Sequence, residues 1–455
     1  MQVPWGDGDW RRVLVYGLGL SGQAAARFLR ARGVEVVGVD RRGAAEIGAP
    51  DLERDPGVEL ALGREPESLP EGLEGVVLSP GVPLDRPLLA AARRRGLPVI
   101  AEVELAFPFL NGPVVGITGS NGKSTTTALT GALLAAAGRR VEVCGNIGRP
   151  LTACVDGPME RVFVVELSSF QLETTDTFRP RAAALLNISA DHLDRHADLR
   201  RYAAAKERIF LRQRADDVAV LNADDPEVAR VVVAARRRQF ARLAPVADGC
   251  FADGERVVEV EPDTPPRELF RRGELALDGL HNLENAMAAA LLARALGAGS
   301  EAIRAGLRGF RGLPHRLERV AETGGVVFYD DSKGTNVAAT ARSLEDFADG
   351  SVHLILGGRN KGADLRALRE VVTRKAARAY LIGEAAAELE AALAGTVPLE
   401  PAGTLDRAVA LAGSRATAGE AVVLSPACAS FDQFRDFNDR GDQFQRFVRE
   451  FCLNG

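Results

Sequence analysis

Short runs of aliphatic and β-branched residues recur along this chain, and between them apolar positions return every three to four residues. The first texture reads as buried strands, the second as helices packed on them. Val13–Tyr16 reads as a strand, Gln23–Arg32 as a helix, Val34–Val39 as a strand and Gly75–Leu78 as another. From Pro113 the rhythm restarts, with strands at Val114–Ile117, Val162–Val165, Ala183–Leu186 and Val218–Leu221 and a closing helix at Leu283–Leu296. Asp248 to Asp278 is richer in charge and turn residues and reads as a small β excursion or a long loop. After Leu313-Pro314 a third rhythm begins, with strands at Val326–Tyr329, His353–Leu356, Ala379–Ile382 and Ala421–Leu424. Strands alternating with helices imply βαβ units and parallel sheets. The expected fold is therefore α/β, in three consecutive domains at residues 1–101, 102–312 and 313–455. No tandem repeat or low-complexity tail interrupts them.

Composition adds limits. A chain of 455 residues suits three domains and a core large enough to need no disulfides. A net charge of −5 argues against broad nucleic-acid binding, which needs clustered positive charge. The five cysteines (Cys144, Cys154, Cys250, Cys428 and Cys452) are scattered and never form a Cys-x-x-Cys pair, which fits a reducing compartment. Met1 to Arg12 holds no apolar stretch of the kind a secretory signal needs. The apolar stretch Ala286–Ala293, closed by Arg294, is too short to span a bilayer. A cytoplasmic protein with no membrane span is expected. Of 57 basic residues only five are lysines: Lys123, Lys206, Lys333, Lys361 and Lys375. Codon bias explains arginine on the surface. The lysines that remain are candidates for work that arginine's planar, permanently charged fork cannot do.

The first chemical motif is Gly17-Leu18-Gly19-Leu20-Ser21-Gly22, between a strand and a helix, with Asp40 ending the next strand. Such glycines let the backbone approach a phosphate at a helix N-terminus. The motif suits NAD(P) or another nucleotide diphosphate, or a bare tight turn. Ser79-Pro80-Gly81 follows a later strand and falls on the same carboxyl edge, where ligands of open sheets bind.

The second motif is Gly116-Ile117-Thr118-Gly119-Ser120-Asn121-Gly122-Lys123-Ser124, again between strand and helix. Its amides can wrap phosphates, Lys123 can neutralise them, and the hydroxyl of Ser124 or Thr125 can reach Mg²⁺. Ile117 stands where the strict phosphate-loop pattern has glycine. Downstream, Glu166 ends an apolar strand, where a carboxylate suits Mg²⁺. In Asp191-His192-Leu193-Asp194, His192 is a candidate second-metal ligand, whereas His196 reads as a surface residue. Lys206 lies in a helical stretch, where a solvated lysine is the ordinary alternative. In the last third, Asp331-Ser332-Lys333-Gly334-Thr335-Asn336, Gly357-Gly358-Arg359-Asn360-Lys361 and Ser425-Pro426-Ala427-Cys428-Ala429-Ser430-Phe431-Asp432 each follow a strand, which places three polar turns on one functional edge.

These segments resemble the ATP-dependent peptidoglycan-precursor (Mur) ligases, relatives of the folylpolyglutamate synthases. Thr118–Ser124 resembles their phosphate loop, including its departure from the strict pattern. Glu166-Leu-Ser-Ser-Phe-Gln-Leu172, Asp331–Asn336 and Ser425–Asp432, continued by Phe437 and Arg440-Gly441, resemble the branch that adds D-glutamate to UDP-N-acetylmuramoyl-L-alanine. The likeness runs from about residue 13 to 450. It implies a Rossmann-like first domain holding a uridine diphosphate rather than NAD, a central P-loop ATPase and a Rossmann-like third domain that binds the incoming amino acid.

The resemblance also implies roles. Gly17, Leu18, Gly19, Ser21, Gly22, Asp40, Arg41, Ser79, Pro80, Gly81, Asn146 and Gln171 would bind the UDP substrate. Gly119, Asn121, Gly122, Lys123, Ser124, Thr125, Asn282, Asn285, Arg316 and Asp331 would bind ATP. For Asn282 and Asn285, capping at the start of Leu283–Leu296 is the structural alternative. Ser124, Glu166, His192 and a carbamylated Lys206 would hold two Mg²⁺ ions, and Lys123, Glu166, His192 and Lys206 would be catalytic. Lys333, Thr335, Lys361, Ser430 and Phe437 would surround D-glutamate. Gly334 departs from the family, where alanine is expected. The partners implied are these small molecules, with no nucleic acid, and a monomer is the expected state. The competing readings are a sister ligase with another amino acid, an NAD-dependent oxidoreductase using the first domain, and a P-loop switch or motor protein.

Overall fold

The computed structural model describes the chain apart from residues 6–8, 158–159, 190–192, 197, 278, 346 and 455, and apart from the side chains of residues 193, 194 and 454. It holds three sheets in two compact units. Residues 1–276 with 282–310 form one unit, and residues 277–281 with 311–455 form the other.

The first sheet contains β1 (Arg12–Tyr16), β2 (Glu35–Asp40), β3 (Val58–Leu62), β4 (Gly75–Leu78) and β5 (Val99–Ala101), all parallel, in the order β3-β2-β1-β4-β5. The order reverses at β1 and β4, so the turns after these two strands face a crevice at the carboxyl edge. The helix after β1 spans Leu20–Arg30, and so starts earlier than the apolar pattern suggested. Its first turn is built from the motif itself.

The second sheet contains β6 (Val114–Thr118), β7 (Val141–Gly145), β8 (Val162–Glu166), β9 (Ala182–Leu185), β10 (Val218–Asn222), β11 (Arg236–Ala241), β12 (Gly249–Asp253), β13 (Arg256–Glu261) and β14 (Thr264–Arg271). Their order is β14-β13-β12-β11-β10-β9-β6-β8-β7. Strands β6, β8 and β9 are buried along their length, which is why they read as unbroken apolar runs. The charged stretch from Asp248 resolves into β12, β13 and β14, which pair antiparallel and extend the sheet. The helix expected at Leu283–Leu296 spans Leu280–Ala295, so Asn282 and Asn285 lie inside its first turns and not at its cap.

The second unit holds β15 (Glu318–Thr323), β16 (Val326–Asp330), β17 (Val352–Gly357), β18 (Ala376–Ile382), β19 (Leu399–Gly403) and β20 (Ala421–Ala427), in the order β15-β16-β20-β17-β18-β19. Apolar clusters cover both faces of this sheet. Strand β20 runs three residues past the expected end, so Ser425 and Pro426 belong to the strand and the turn begins at Cys428. Among the described residues, no helix is long and apolar enough to cross a membrane.

The antiparallel extension of the second sheet is held by a buried charge. The Glu259 side chain on β13 is fully enclosed and accepts from Arg238 at 3.0 Å, Arg267 at 2.9 Å and Arg294 at 2.7 Å. Burial works to raise its carboxyl, but the bonds from Arg294 and Arg267 and the charges of Arg294 and Arg238 hold it at about 2. A carboxyl held below its unfolded value stabilises the fold above that value, and the stability is lost as pH falls toward the folded one. Glu259→Gln should therefore melt lower than the parent at pH 7, by the equivalent of roughly 3 kcal/mol. The gap should narrow as pH falls from about 5 toward 2, read from melting curves across pH; a gap that ignores pH would rule out the charge as the cause.

Candidate active site

The phosphate loop links β6 to the helix Lys123–Ala136. Gly122 sits at φ +80°, and a Cβ there would fall 2.3 Å from Asn285 Oδ1. The loop is held in place by its neighbours. Asn187, just past β9, accepts from the Asn121 amide through Oδ1 at 2.8 Å and from the Ser120 amide through its carbonyl at 2.9 Å. Ser120 Oγ donates to Ser189 O at 3.1 Å. Asn285 Oδ1 accepts from Thr126 Oγ1 at 3.2 Å, and Asn285 Nδ2 donates to Asn282 Oδ1 at 3.3 Å. The two asparagines therefore brace the helix that starts at Lys123. Ser124 and Thr125 are buried in its first turn.

Two of the rare lysines meet at one atom. Lys123 Nζ donates to Gly119 O at 2.9 Å and to Ser120 O at 2.8 Å. Lys206 Nζ donates to the same Gly119 O at 2.7 Å. Lys206 lies on the helix Leu199–Glu207 but is 1% exposed, with its ammonium 4.4 Å from the centre of the Tyr202 ring. The fold does not make it a solvated surface lysine.

Glu166 ends β8 one strand away and is 2% exposed. Asn146 Nδ2 donates to its Oε1 at 2.8 Å, while its Oε2 is buried with no hydrogen-bond partner among the described residues. A bare, buried carboxylate oxygen beside a phosphate loop fits a hard cation such as Mg²⁺. Gln171 caps the short helix Ser169–Leu172 by accepting from Ser168, and its buried Nε2 has no hydrogen-bond partner among the described residues. His192 lies outside the described residues. His196, expected on the surface, is 4% exposed. Its Nε2 lies 3.0 Å from Ser169 Oγ, and its ring stacks on Phe170 at 5.4 Å. The hydroxyl and the aromatic faces around it make burial affordable for the imidazole.

In the first sheet, the turns after β1 and β4 line a cleft of about 660 Å³ that includes Gly17, Gly19, Ser21, Asp40, Arg41, Ser79, Pro80 and Gly81. Leu18 contributes its amide, which donates to Asp40 Oδ2 at 2.7 Å. Arg42 grips both oxygens of Asp40, at 3.1 and 2.9 Å. Burial works to raise Asp40, but the bonds from Arg42 and Leu18 outweigh it and hold the carboxyl below its ordinary range. Ser79 Oγ donates to Gly17 O at 2.8 Å and ties the two turns together. Gly22 lies within the helix that follows.

In the second unit, the turns after β16, β20 and β17 lie side by side, because those strands are neighbours. Asp331 is buried, and its Oδ2 accepts from Ser425 Oγ at 2.7 Å and Ser343 Oγ at 2.8 Å. The amide of Leu317 donates to its Oδ1 at 3.3 Å. His315 and Leu317, on either side of Arg316, both have left-handed backbone, at φ +61° and +47°. Such strain persists only where its surroundings enforce it. Lys333 Nζ stands 3.6 Å from the centre of the Phe437 ring. Ser430 is buried, Thr335 half-buried and Lys361 exposed.

Three family models match the chain: the Mur ligase MurD-like N-terminal domain over residues 11–101, the Mur ligase middle domain over 117–293 and the Mur ligase glutamate ligase domain over 315–428. The chain belongs to the Mur ligase family. Relatives named UDP-N-acetylmuramoylalanine–D-glutamate ligase include that of Acidobacterium capsulatum, 47% identical with 96% of each chain covered. That of Anaeromyxobacter dehalogenans is also 47% identical, with 96% of this chain and 97% of the relative covered. Among solved structures, the MurF ligase of Thermotoga maritima in complex with ADP superposes with a TM-score of 0.61 at 16% identity, covering 98% of each chain. The UDP-N-acetylmuramate-alanine ligase of the same organism gives 0.58 at 17%, covering 98% of this chain and all of its own. Both show the three-domain α/β fold of Mur ligases.

Within this Mur ligase, the departure at Gly334 has a local reason. A Cβ there would fall 2.7 Å from Asp331 Oδ2 and 2.8 Å from Ser425 Oγ, so glycine leaves room for that hydrogen bond. Sequence reasoning missed Asn187, Arg42 and Ser425 as organisers of the site. A strand-end asparagine next to the phosphate-loop strand is the one signal that could have shown Asn187.

Burial raises the Asp331 carboxyl to about 6, against the lowering effect of bonds from Ser425 and Ser343. Because the folded value lies above the unfolded one, this group's contribution to stability is full below about pH 4 and is lost as pH rises through 6, a change of roughly 3 kcal/mol. Asp331→Asn should gain melting temperature relative to the parent as pH rises from about 4 to 7, then stay level. Parallel melting profiles for the two proteins would show that the carboxyl is not strained by burial.

Proposed function

We propose that this chain is the ATP-dependent ligase that joins D-glutamate to UDP-N-acetylmuramoyl-L-alanine in peptidoglycan precursor synthesis, releasing ADP and phosphate. The observation that carries the choice of amino acid is the 43–47% identity, over nearly the whole chain, to relatives named for that reaction. Phosphate-loop geometry supports the use of ATP. In this reading residues 1–101 hold the UDP end, 102–312 the ATP and 313–455 the amino acid. The enzyme works in the cytoplasm as a monomer.

A carboxylate is a poor electrophile, and its oxygen is a poor leaving group. Transfer of the γ-phosphoryl group of ATP to the alanyl carboxylate gives an acyl phosphate, which solves both problems. Phosphoryl transfer depends mainly on positioning and on charge already in place. Lys123 supplies a cation within reach of the loop amides, and its present partners are carbonyls that a phosphate can replace. Asn146 orients Glu166 so that Oε2 stays open. Ser124, Glu166, His192 and a carbamylated Lys206 would hold two Mg²⁺ ions, which when bound offset the negative charge of the transferring group. Arg316 and Asp331 contact ATP. The neutral amine of D-glutamate then attacks the acyl carbon, its proton passes to His192 or to the departing phosphate, and phosphate leaves. Lys333, Lys361, Thr335, Ser430 and Phe437 receive the amino acid, the two lysines facing its two carboxylates.

Incubation with ATP, Mg²⁺ and UDP-N-acetylmuramoyl-L-alanine should release phosphate only when D-glutamate is added, with a product heavier by one glutamyl residue. Release with a different amino acid would keep the ligase and change its amine; none with any amino acid would end the reading. For Lys206, ¹³C-bicarbonate should give a carbamate carbon signal in the parent that Lys206→Arg lacks, and turnover of the variant should fall by orders of magnitude. A parent without that signal, or a variant with parental turnover, would remove the carbamate from the mechanism.

A further inference from the structure

Among the described residues, Arg440 is the largest side chain that the fold encloses completely, at 0% exposure. It lies near the start of the helix Phe437–Asn454 and sits beneath the three strand-end turns. Its Nε donates to Ser332 Oγ at 3.0 Å and its Nη2 to Ser332 O at 2.9 Å. Both terminal nitrogens reach Cys428 O, each at 3.2 Å, and Nη1 reaches Gly357 O at 3.4 Å. These five bonds use all five donors of a guanidinium. They end on one residue from each turn: Ser332 after β16, Gly357 at the end of β17 and Cys428 after β20. Every one goes to a neutral oxygen.

A buried arginine is normally matched to a carboxylate, because the desolvated charge is otherwise unfavourable. Burial lowers Arg440 to about 10, and the carboxylates of Asp432, Asp330 and Asp331 oppose that only at longer range. An apolar plug could fill the space without that penalty. It could not bond three carbonyl groups at once, nor add positive potential at this edge. The same three turns carry Lys333 and Thr335, Lys361, and Ser430. The link to Lys333 is close: Ser332 Oγ donates to Phe437 O at 2.8 Å, and the Phe437 ring lies under the Lys333 ammonium.

We propose that Arg440 is a positioning residue for the amino-acid half of the reaction. Its guanidinium locks the three turns in one register through neutral oxygens alone, so that an incoming dicarboxylate amino acid meets donors already in place. This rests on the reading that these turns receive D-glutamate. Lysine in its place has three donors on a flexible stem and cannot span the three turns.

The test compares the parent, Arg440→Lys and Arg440→Met by steady-state kinetics, varying each substrate in turn. Parent protein without D-glutamate-dependent phosphate release would fail the functional reading, and this inference with it. With an active parent, Arg440→Lys should raise the D-glutamate KM about ten- to a hundredfold, the scale expected of misplaced binding groups. Its KM values for ATP and the UDP substrate should stay within about twofold, and Arg440→Met should be worse than Arg440→Lys. Equal rises in all three KM values, or a lower Tm with an unchanged D-glutamate KM, would overturn the proposal and leave Arg440 a structural residue. Should neither variant fold, Ser332→Ala removes the acceptor of the Nε bond together with the hydroxyl's bond to Phe437 O, two of the bonds that tie the Arg440 helix to the Lys333 turn. A selective rise in D-glutamate KM there supports the proposal, and an unchanged value overturns it.

Discussion

One carbonyl oxygen, that of Gly119, accepts from two lysine ammonium groups, and the phosphate loop and two separate helices converge on it. The oxygen sits where β6 gives way to the phosphate loop. Lys123 reaches it from the helix that follows the loop, and Lys206 from a helix far along the chain. Bringing two cations to one dipole inside a fold is unfavourable unless negative charge is expected nearby. Glu166, with one oxygen engaged by Asn146 and the other bare, stands on the neighbouring strand. The second sheet thus collects opposite charges at one edge.

The second unit uses the same edge of a parallel sheet in a different way. Its three polar turns come from adjacent strands, so that side chains distant in sequence stand together. Strand adjacency alone does not set the turns' relative heights. That is decided beneath them, by hydrogen bonds between Asp331 and Ser425 and by the side chain of Arg440. The positive-φ residues flanking Arg316 belong to the same network, since the Leu317 amide bonds Asp331 and the His315 carbonyl accepts from the Lys333 amide.

How much of this was legible in the sequence depended on burial. Strands enclosed on both faces, such as β1, β4, β6 and β8, stood out as apolar runs, and the motifs after them fell at the carboxyl edge as expected. The strands that escaped notice include every sheet edge: β3 and β5, β7, β15 and β19, with β14 seen only as part of a charged excursion. Edge strands are short or half exposed and carry polar residues, so the periodic signal is weakest there. Strand β11 was hidden for a related reason, since it opens with three arginines. Candidate residues that speak through a motif could be named from the sequence. Residues that act by holding other groups in place were harder to see: Asn187 and Arg42 were not singled out, and Arg440, though part of a quoted segment, was given no role, because its partners Ser332, Gly357 and Cys428 lie on separate turns. His196 was misplaced on the surface because its enclosure by Ser169, Phe170 and Tyr202 depends entirely on tertiary structure.

The resting position of Lys123 bears on what an anion meets at the loop. Its ammonium already donates to two loop carbonyls, and the loop is already shaped by Asn187 and Asn285. An arriving anion therefore exchanges bonding partners; it does not have to order a floppy chain. The ammonium is thus held at the loop before any anion arrives, on the side of the loop where the helix Lys123–Ala136 begins. What the loop offers a ligand is therefore order already present before binding.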